Sequence, residues 1–297
     1  MTPILDAPGA PPASASGTTD GSPPDAAITS VSASAATASS TPRLTDETHR
    51  LVHRGLALRV RRLAAVSGDP SAPQPPGRDV VLVHGLGLSS EYLERLARAL
   101  TSVGPVHLLD LPGFGGVPRP ARTPSVTDLA GLVDAWVVSA GLRDPVLLGQ
   151  SLGTQVVVEM LAARPGVARH AVLVGLSVDP AGRTAAAQLG RFARSAPFES
   201  RTRRIAAHAY LRAGVPWIAR VLKSTLEYRT EDRLPAVAAS LLLVRGTQDR
   251  ICPPGWMSRA AVLAPRARAA EVAGTGHLVV HDRADEVAAL VMSHIGR

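Results

Sequence analysis

Short, wholly apolar runs recur along this chain, separated by stretches whose apolar residues fall at helical spacing. The runs include Val80-Val81-Leu82-Val83, Val146-Leu147-Leu148 and Leu241-Leu242-Leu243-Val244. Runs of that length, bounded by turn residues, predict strands buried on both faces. Strands are predicted at 80–83, 106–109, 146–149, 171–175, 240–246 and 268–273, with helices at 90–101, 125–139, 152–163, 255–263 and 285–295. Such alternation predicts an α/β fold, a mostly parallel sheet flanked by helices. Leu51-Val52-His53 and Leu56-Ala57-Leu58-Arg59-Val60 predict a β-hairpin at the sheet's edge, followed by a Pro/Gly-rich loop over 67–78.

The alternation breaks once. Residues 180–235 hold no strand pattern but carry apolar residues at helical spacing, for example Trp217, Ile218, Val221 and Leu222. An inserted helical cap between two strands of one sheet is the expected outcome. At the other end, Met1 to about Pro42 is almost wholly Ala, Ser, Thr, Pro, Gly and Asp. That composition buries too little apolar surface to offset its conformational entropy. The expected organisation is a disordered tail over 1–47, a core over 48–179 and 236–297, and a cap over 180–235.

Composition narrows the setting. The first residues lack a basic segment followed by an apolar one, so no secretory signal is read there. No run reaches the roughly 18–20 apolar residues of a membrane span. Cys252 is the single cysteine, which excludes an intrachain disulfide and predicts a small buried apolar residue. A cytoplasmic location is expected. Neither metal-ligand spacing nor a dinucleotide fingerprint occurs, so no cofactor is expected.

The chemistry gathers on loops after predicted strands. Gly149-Gln150-Ser151-Leu152-Gly153 joins an apolar strand to an apolar helix, which places a serine at the apex of a sharp turn. Asp249 follows the strand ending at Gly246, and His277 lies in the glycine turn after 268–273. The order is serine, aspartate, histidine. A serine hydroxyl is a weak nucleophile until an imidazole takes its proton, and a carboxylate fixes the tautomer of that imidazole. Val83-His84-Gly85-Leu86-Gly87 is the fourth part, a loop able to offer the Leu86 N–H beside that of Leu152 to a developing oxyanion.

These motifs, together with Asp110-Leu111-Pro112-Gly113-Phe114-Gly115, Gly276-His277 and the helix entry Asp282-Arg283-Ala284-Asp285-Glu286-Val287, resemble the α/β-hydrolase superfamily in its single-domain group with a helical cap. The resemblance covers roughly residues 49–297. It implies a serine hydrolase in which Ser151 attacks, His277 carries the proton and Asp249 orients His277, acting on a small-molecule substrate. Gln150 stands where many relatives have His, and Thr154 where many have a second Gly.

Rival assignments follow from the same residues. His281 competes with His277 but lies at the entry to the last helix, away from the glycine turn, and is read as a surface or packing residue. Asp179, after the strand at 171–175, competes with Asp249. His84 is read as an anchor of the oxyanion loop. Phe114 and Trp217 are the candidate pocket residues.

The cap concentrates aromatics and charge. Five of the nine aromatics lie there: Phe192, Phe198, Tyr210, Trp217 and Tyr228. Ten arginines and Lys223 face Glu199, Glu227, Glu231 and Asp232, a net of +7 out of +8 for the whole chain. Steering of an anionic substrate, or peripheral contact with an anionic membrane, would use that charge. A solvated surface is the bland alternative, and nucleic-acid binding is not expected because no recognised motif accompanies the charge. The expected activity is hydrolysis of a carboxylic ester of a small or medium apolar substrate. A thioesterase or carbon–carbon bond hydrolase using the same residues, and a non-catalytic binding protein of this fold, are the alternatives.

Overall fold

A computed structural model describes residues 28–31, 43–66, 77–195, 197 and 203–296. Among the described residues nine strands form one sheet: β1 (Ile28–Val31), β2 (Leu44–His53), β3 (Leu56–Ala65), β4 (Val80–Val83), β5 (Val106–Asp110), β6 (Val146–Gln150), β7 (His170–Val174), β8 (Ser240–Gly246) and β9 (Ala267–Val272). Their spatial order is β1-β9-β8-β7-β6-β4-β5-β3-β2. The β2–β3 hairpin and the β3–β5 pair are antiparallel, and every other pair is parallel. The central strands β4, β5 and β6 are buried at every position, the polar His107, Asp110 and Gln150 included.

Helices cover both faces. α1 (Ser90–Leu100) packs on one, together with the later α9 (Val279–Asp282) and α10 (Ala284–Ile295). On the other face lie α2 (Val126–Ser139), α3 (Leu152–Ala163) and α8 (Pro254–Leu263). The inserted segment folds as α4 (Ala185–Ser195), α5 (Arg203–Ala213), α6 (Val215–Glu227) and the short α7 (Thr230–Arg233). Glu159 of α3 ties the end of this insertion to the core, accepting hydrogen bonds from Tyr228 Oη and Arg233 Nε, both at 2.9 Å.

One sequence expectation meets a difference. Within the segment expected to be a disordered tail, Ile28–Val31 pairs in parallel with β9, and β2 starts at Leu44, ahead of the expected boundary at 47. Composition averaged over the tail hid Ile28-Thr29-Ser30-Val31, a short run of four β-compatible residues with Ile and Val at its two ends. An edge strand such as β9 leaves a row of N–H and C=O groups unpaired, and such a row accepts a short strand of modest propensity. The rest of the tail, 1–27 and 32–42, lies outside the described residues, as does Phe198.

The strand order decides where chemistry sits. The chain runs from β4 outward to β5, then returns to place β6 on the other side of β4. The carboxyl ends of β4 and β6 therefore adjoin at a topological switch point, with Val83 opposite Gly149. In open α/β sheets ligands bind beyond the carboxyl ends at such a point.

Candidate active site

Ser151 sits at that switch point, between the end of β6 and the start of α3, with φ 53° and ψ −118°. Left-handed φ is costly for a residue with a side chain, and its neighbours hold it there. Ser151 N–H donates to Val174 O at 2.9 Å, and Ser151 O accepts from Thr154 N at 2.8 Å and Thr154 Oγ1 at 2.6 Å. Thr154 thus closes the turn through its hydroxyl. The flanking glycines are required by space: a Cβ on Gly149 would strike the Gly153 carbonyl, and a Cβ on Gly153 would strike that of Val83.

His277 and Asp249 meet. His277 Nδ1 lies 2.8 Å from Asp249 Oδ2, and both residues are buried. The other carboxylate oxygen, Oδ1, accepts from the N–H groups of Ile251 at 2.8 Å and Cys252 at 3.0 Å. The Asp249 loop and the His277 loop are laced together by Gln248 N–H to Thr275 O at 2.9 Å and by Gly274 N–H to Thr247 Oγ1 at 3.0 Å.

Two residues of this arrangement escaped the sequence analysis. Gly175, directly after β7, lies behind the imidazole: a Cβ there would come within 2.8 Å of His277 Cε1. Arg245, buried at the end of β8, donates from Nε to Cys252 O at 2.8 Å and from Nη2 to Asp249 O at 2.9 Å, and its Nη1 pairs with Glu271. The acid loop is wrapped around this guanidinium. A single arginine closing an otherwise apolar strand was the signal for it.

The rivals are placed elsewhere. The Asp179 carboxylate pairs with Arg191 at 2.7 Å and caps Ala181 N–H at 3.0 Å. His281 is buried, its ring stacked on Tyr92 with centroids 5.7 Å apart and its Nδ1 3.1 Å from Tyr92 O. Cys252 is buried, and that burial pushes its thiol well above the ordinary value, so it stays protonated.

His84 anchors the β4 loop. Its Nε2 accepts from Leu111 N–H at 3.1 Å, which leaves Nδ1 to donate to Gly85 O at 2.7 Å. Burial lowers its pKa, against an opposing pull from the Asp110 charge. Asp110 is itself held by Ser90 and Arg59. A histidine whose folded pKa is depressed binds fewer protons than the unfolded chain, so its contribution is complete above the unfolded value of 6.5 and is lost as pH falls below it. Stability should decline there by at most about 1.4 kcal/mol per pH unit from this group. His170, also lowered by burial, acts in the same direction. Denaturant midpoints at neutral and mildly acid pH check this: the slope should be shallower in His84→Asn than in the parent. An equal slope would remove His84 from the account.

Ser151 and His277 line one cavity of about 390 Å³, together with Leu86 and Leu152. Among the described residues, neither the Leu86 nor the Leu152 backbone N–H has a hydrogen-bond acceptor. The remaining wall is largely apolar, with Val178, Leu189, Phe192, Val215, Ile218 and Leu222 among its members. Phe114 and Trp217, expected in the pocket, are not on this wall. Both are buried in the core beneath, with ring centroids 6.4 Å apart, and Phe114 packs edge-on to His84 at 5.5 Å. Gly113 approaches the Trp217 ring so closely that no side chain fits between them. Phe192 and Tyr210 supply the cavity's aromatics instead, with centroids 5.8 Å apart. Among the described residues, no group of three or more His, Cys, Asp or Glu is placed to hold a metal ion, and no helix is long and apolar enough to cross a membrane.

Known proteins resemble this chain in sequence and in fold. Over 252 residues the chain is 29% identical to a pimeloyl-[acyl-carrier protein] methyl ester esterase of Stenotrophomonas maltophilia, covering 74% of this chain and 93% of that one. Its fold is similar to that of the enol-lactonase from Burkholderia xenovorans (TM-score 0.67, 17% identity, 84% of this chain and 100% of that chain). An alpha/beta hydrolase from a deep-sea metagenome library is similar too (TM-score 0.70, 13% identity, 84% and 98%). A family model described as alpha/beta hydrolase matches residues 80–290, from the first buried parallel strand to the last helix, and the chain therefore belongs to the alpha/beta hydrolase family.

Proposed function

We propose that this protein hydrolyses a carboxylic ester of a medium-sized apolar substrate through a serine acyl-enzyme. Family and esterase relatives make it an ester-acting hydrolase; the residues and the substrate class are our assignment. The observation that carries it is the bonded His277–Asp249 pair on the same apolar cavity as Ser151. In this reading Ser151 Oγ attacks the ester carbonyl while His277 Nε2 takes its proton. The imidazolium, held by Asp249 through Nδ1–H, returns that proton to the departing alkoxide. Water then attacks the acyl-enzyme by the same route, with the proton passing through His277 back to Ser151. The Leu86 and Leu152 N–H groups receive the oxyanion in both halves.

The cavity volume falls within the roughly 300–1,000 Å³ of ordinary ligand sites, and its apolar wall favours an alkyl or aryl acyl group. Rates on p-nitrophenyl esters from acetate to dodecanoate should peak at an intermediate chain length. A fluorophosphonate probe should abolish them by labelling Ser151. A folded protein that neither turns over any ester nor takes the probe would be a binding protein of this fold instead. The name of the Stenotrophomonas relative favours a second reading, an ester whose acyl chain is attached to a carrier protein. Faster turnover of carrier-bound than of free esters would select it.

A further inference from the structure

The cap leaves large apolar side chains in solvent around the mouth of the cavity. Leu189 and Phe192, one helical turn apart on α4, are 69% and 39% exposed, and Val215 at the start of α6 is 77% exposed. All three also line the cavity that holds Ser151. Leu211, near the end of α5 and separated from Val215 by the Ala213-Gly214 turn, is 81% exposed and lies outside that wall. An amphipathic helix ordinarily turns such residues inward. An apolar rim continuous with an apolar cavity marks a surface that meets another apolar phase.

The charge on the same segment indicates which phase. Residues 180–235 carry nearly all of the chain's net positive charge. Several of these cations are engaged: Arg183 with Glu231, Arg191 with Asp179 and Arg233 with Glu159. Arg194 and Arg220, both exposed, have no ion pair among the described residues. Apolar side chains that enter a bilayer's interface, with cations nearby for anionic headgroups, are the two parts of peripheral membrane binding.

We propose that the cap docks this protein onto an anionic lipid surface, with Leu189, Phe192, Leu211 and Val215 entering the interface. The cavity mouth then opens towards the lipid. An apolar ester dissolved in the bilayer passes to Ser151 without crossing water. The docking step is independent of catalysis, so its test needs no turnover.

The experiment is co-sedimentation of the full chain with vesicles of phosphatidylcholine alone and of phosphatidylcholine mixed with phosphatidylglycerol, at low and high salt. The parent protein should partition onto the mixed vesicles, more weakly at high salt because screening removes the headgroup attraction. Leu211→Glu should reduce that partitioning about tenfold, through a lost apolar contact and an added negative charge. It should leave hydrolysis of a soluble short ester unchanged, since Leu211 is outside the cavity wall. Absence of vesicle binding by the parent protein would overturn the proposal. So would equal binding by Leu211→Glu, which would mean that this apolar rim does not meet the lipid. Binding to an acidic acyl-carrier protein but to no vesicle would overturn it in favour of a protein partner. Loss of ester hydrolysis with vesicle binding intact would instead strike the enzymatic assignment and leave docking standing.

Discussion

Ser151→Ala should lower ester turnover by about 10⁵-fold or more while the fold persists, since removal of the nucleophile in a serine triad costs on the order of 10⁶. The residual rate would come from the oxyanion donors and from binding alone. Retention of the fold follows from what holds the elbow. The bonds that fix this turn run through the Ser151 backbone and the Thr154 hydroxyl, not through Ser151 Oγ. Steady-state kinetics on a p-nitrophenyl ester, with circular dichroism as the fold control, measures both. Turnover within tenfold of the parent would remove Ser151 from the mechanism.

Asp249→Asn should cost about 10⁴-fold in kcat, close to the loss seen when the orienting acid of another serine triad is replaced by its amide. The reason lies in the two carboxylate oxygens. Oδ1 accepts from two backbone N–H groups, so the amide oxygen must take that place. The amide NH₂ then faces His277 Nδ1 and donates to it. The imidazole is forced into the tautomer with its proton on Nε2, which cannot receive the serine proton. The acid loop survives the change, because Arg245 still binds the carbonyls of residues 249 and 252. A variant that kept kcat within tenfold would point away from Asp249. The nearest rival, Asp179, would then have to leave its bond to Arg191.

Much of this arrangement was legible before any coordinates. Short, wholly apolar runs bounded by turn residues and alternating with helical segments point to strands buried on both faces. The predicted strands 80–83 and 240–246 coincide with β4 and β8, and those at 106–109, 146–149, 171–175 and 268–273 differ from the observed strands by a single residue at one or both ends, whereas the hairpin strands expected at 51–53 and 56–60 extend to Leu44–His53 and Leu56–Ala65. Ser151, Asp249 and His277 were legible because each sits in a short local signature after a strand, where a tight turn needs particular residues. Gly175 and Arg245 were not, because their roles arise from contacts with loops distant in the chain or from an unremarkable position in a strand. The tail shows the same limit: its composition said nothing of the free edge of β9 that accepts Ile28–Val31.

Phe114 and Trp217 mark the boundary most clearly. Their aromatic character was plain in the sequence, and so was the presence of a cap. Which aromatics line the cavity was not, because a helix shows its period locally but acquires its rotation from what it packs against. Trp217 turns one face of α6 into the core, where Gly113 leaves room for its ring, and Val215, Ile218 and Leu222 line the cavity. Local periodicity and turn chemistry thus determined the core strands, their helices and the three candidate side chains of the site. Packing between distant segments decided the shape of the pocket, the apolar rim around its mouth and the scaffold behind the histidine.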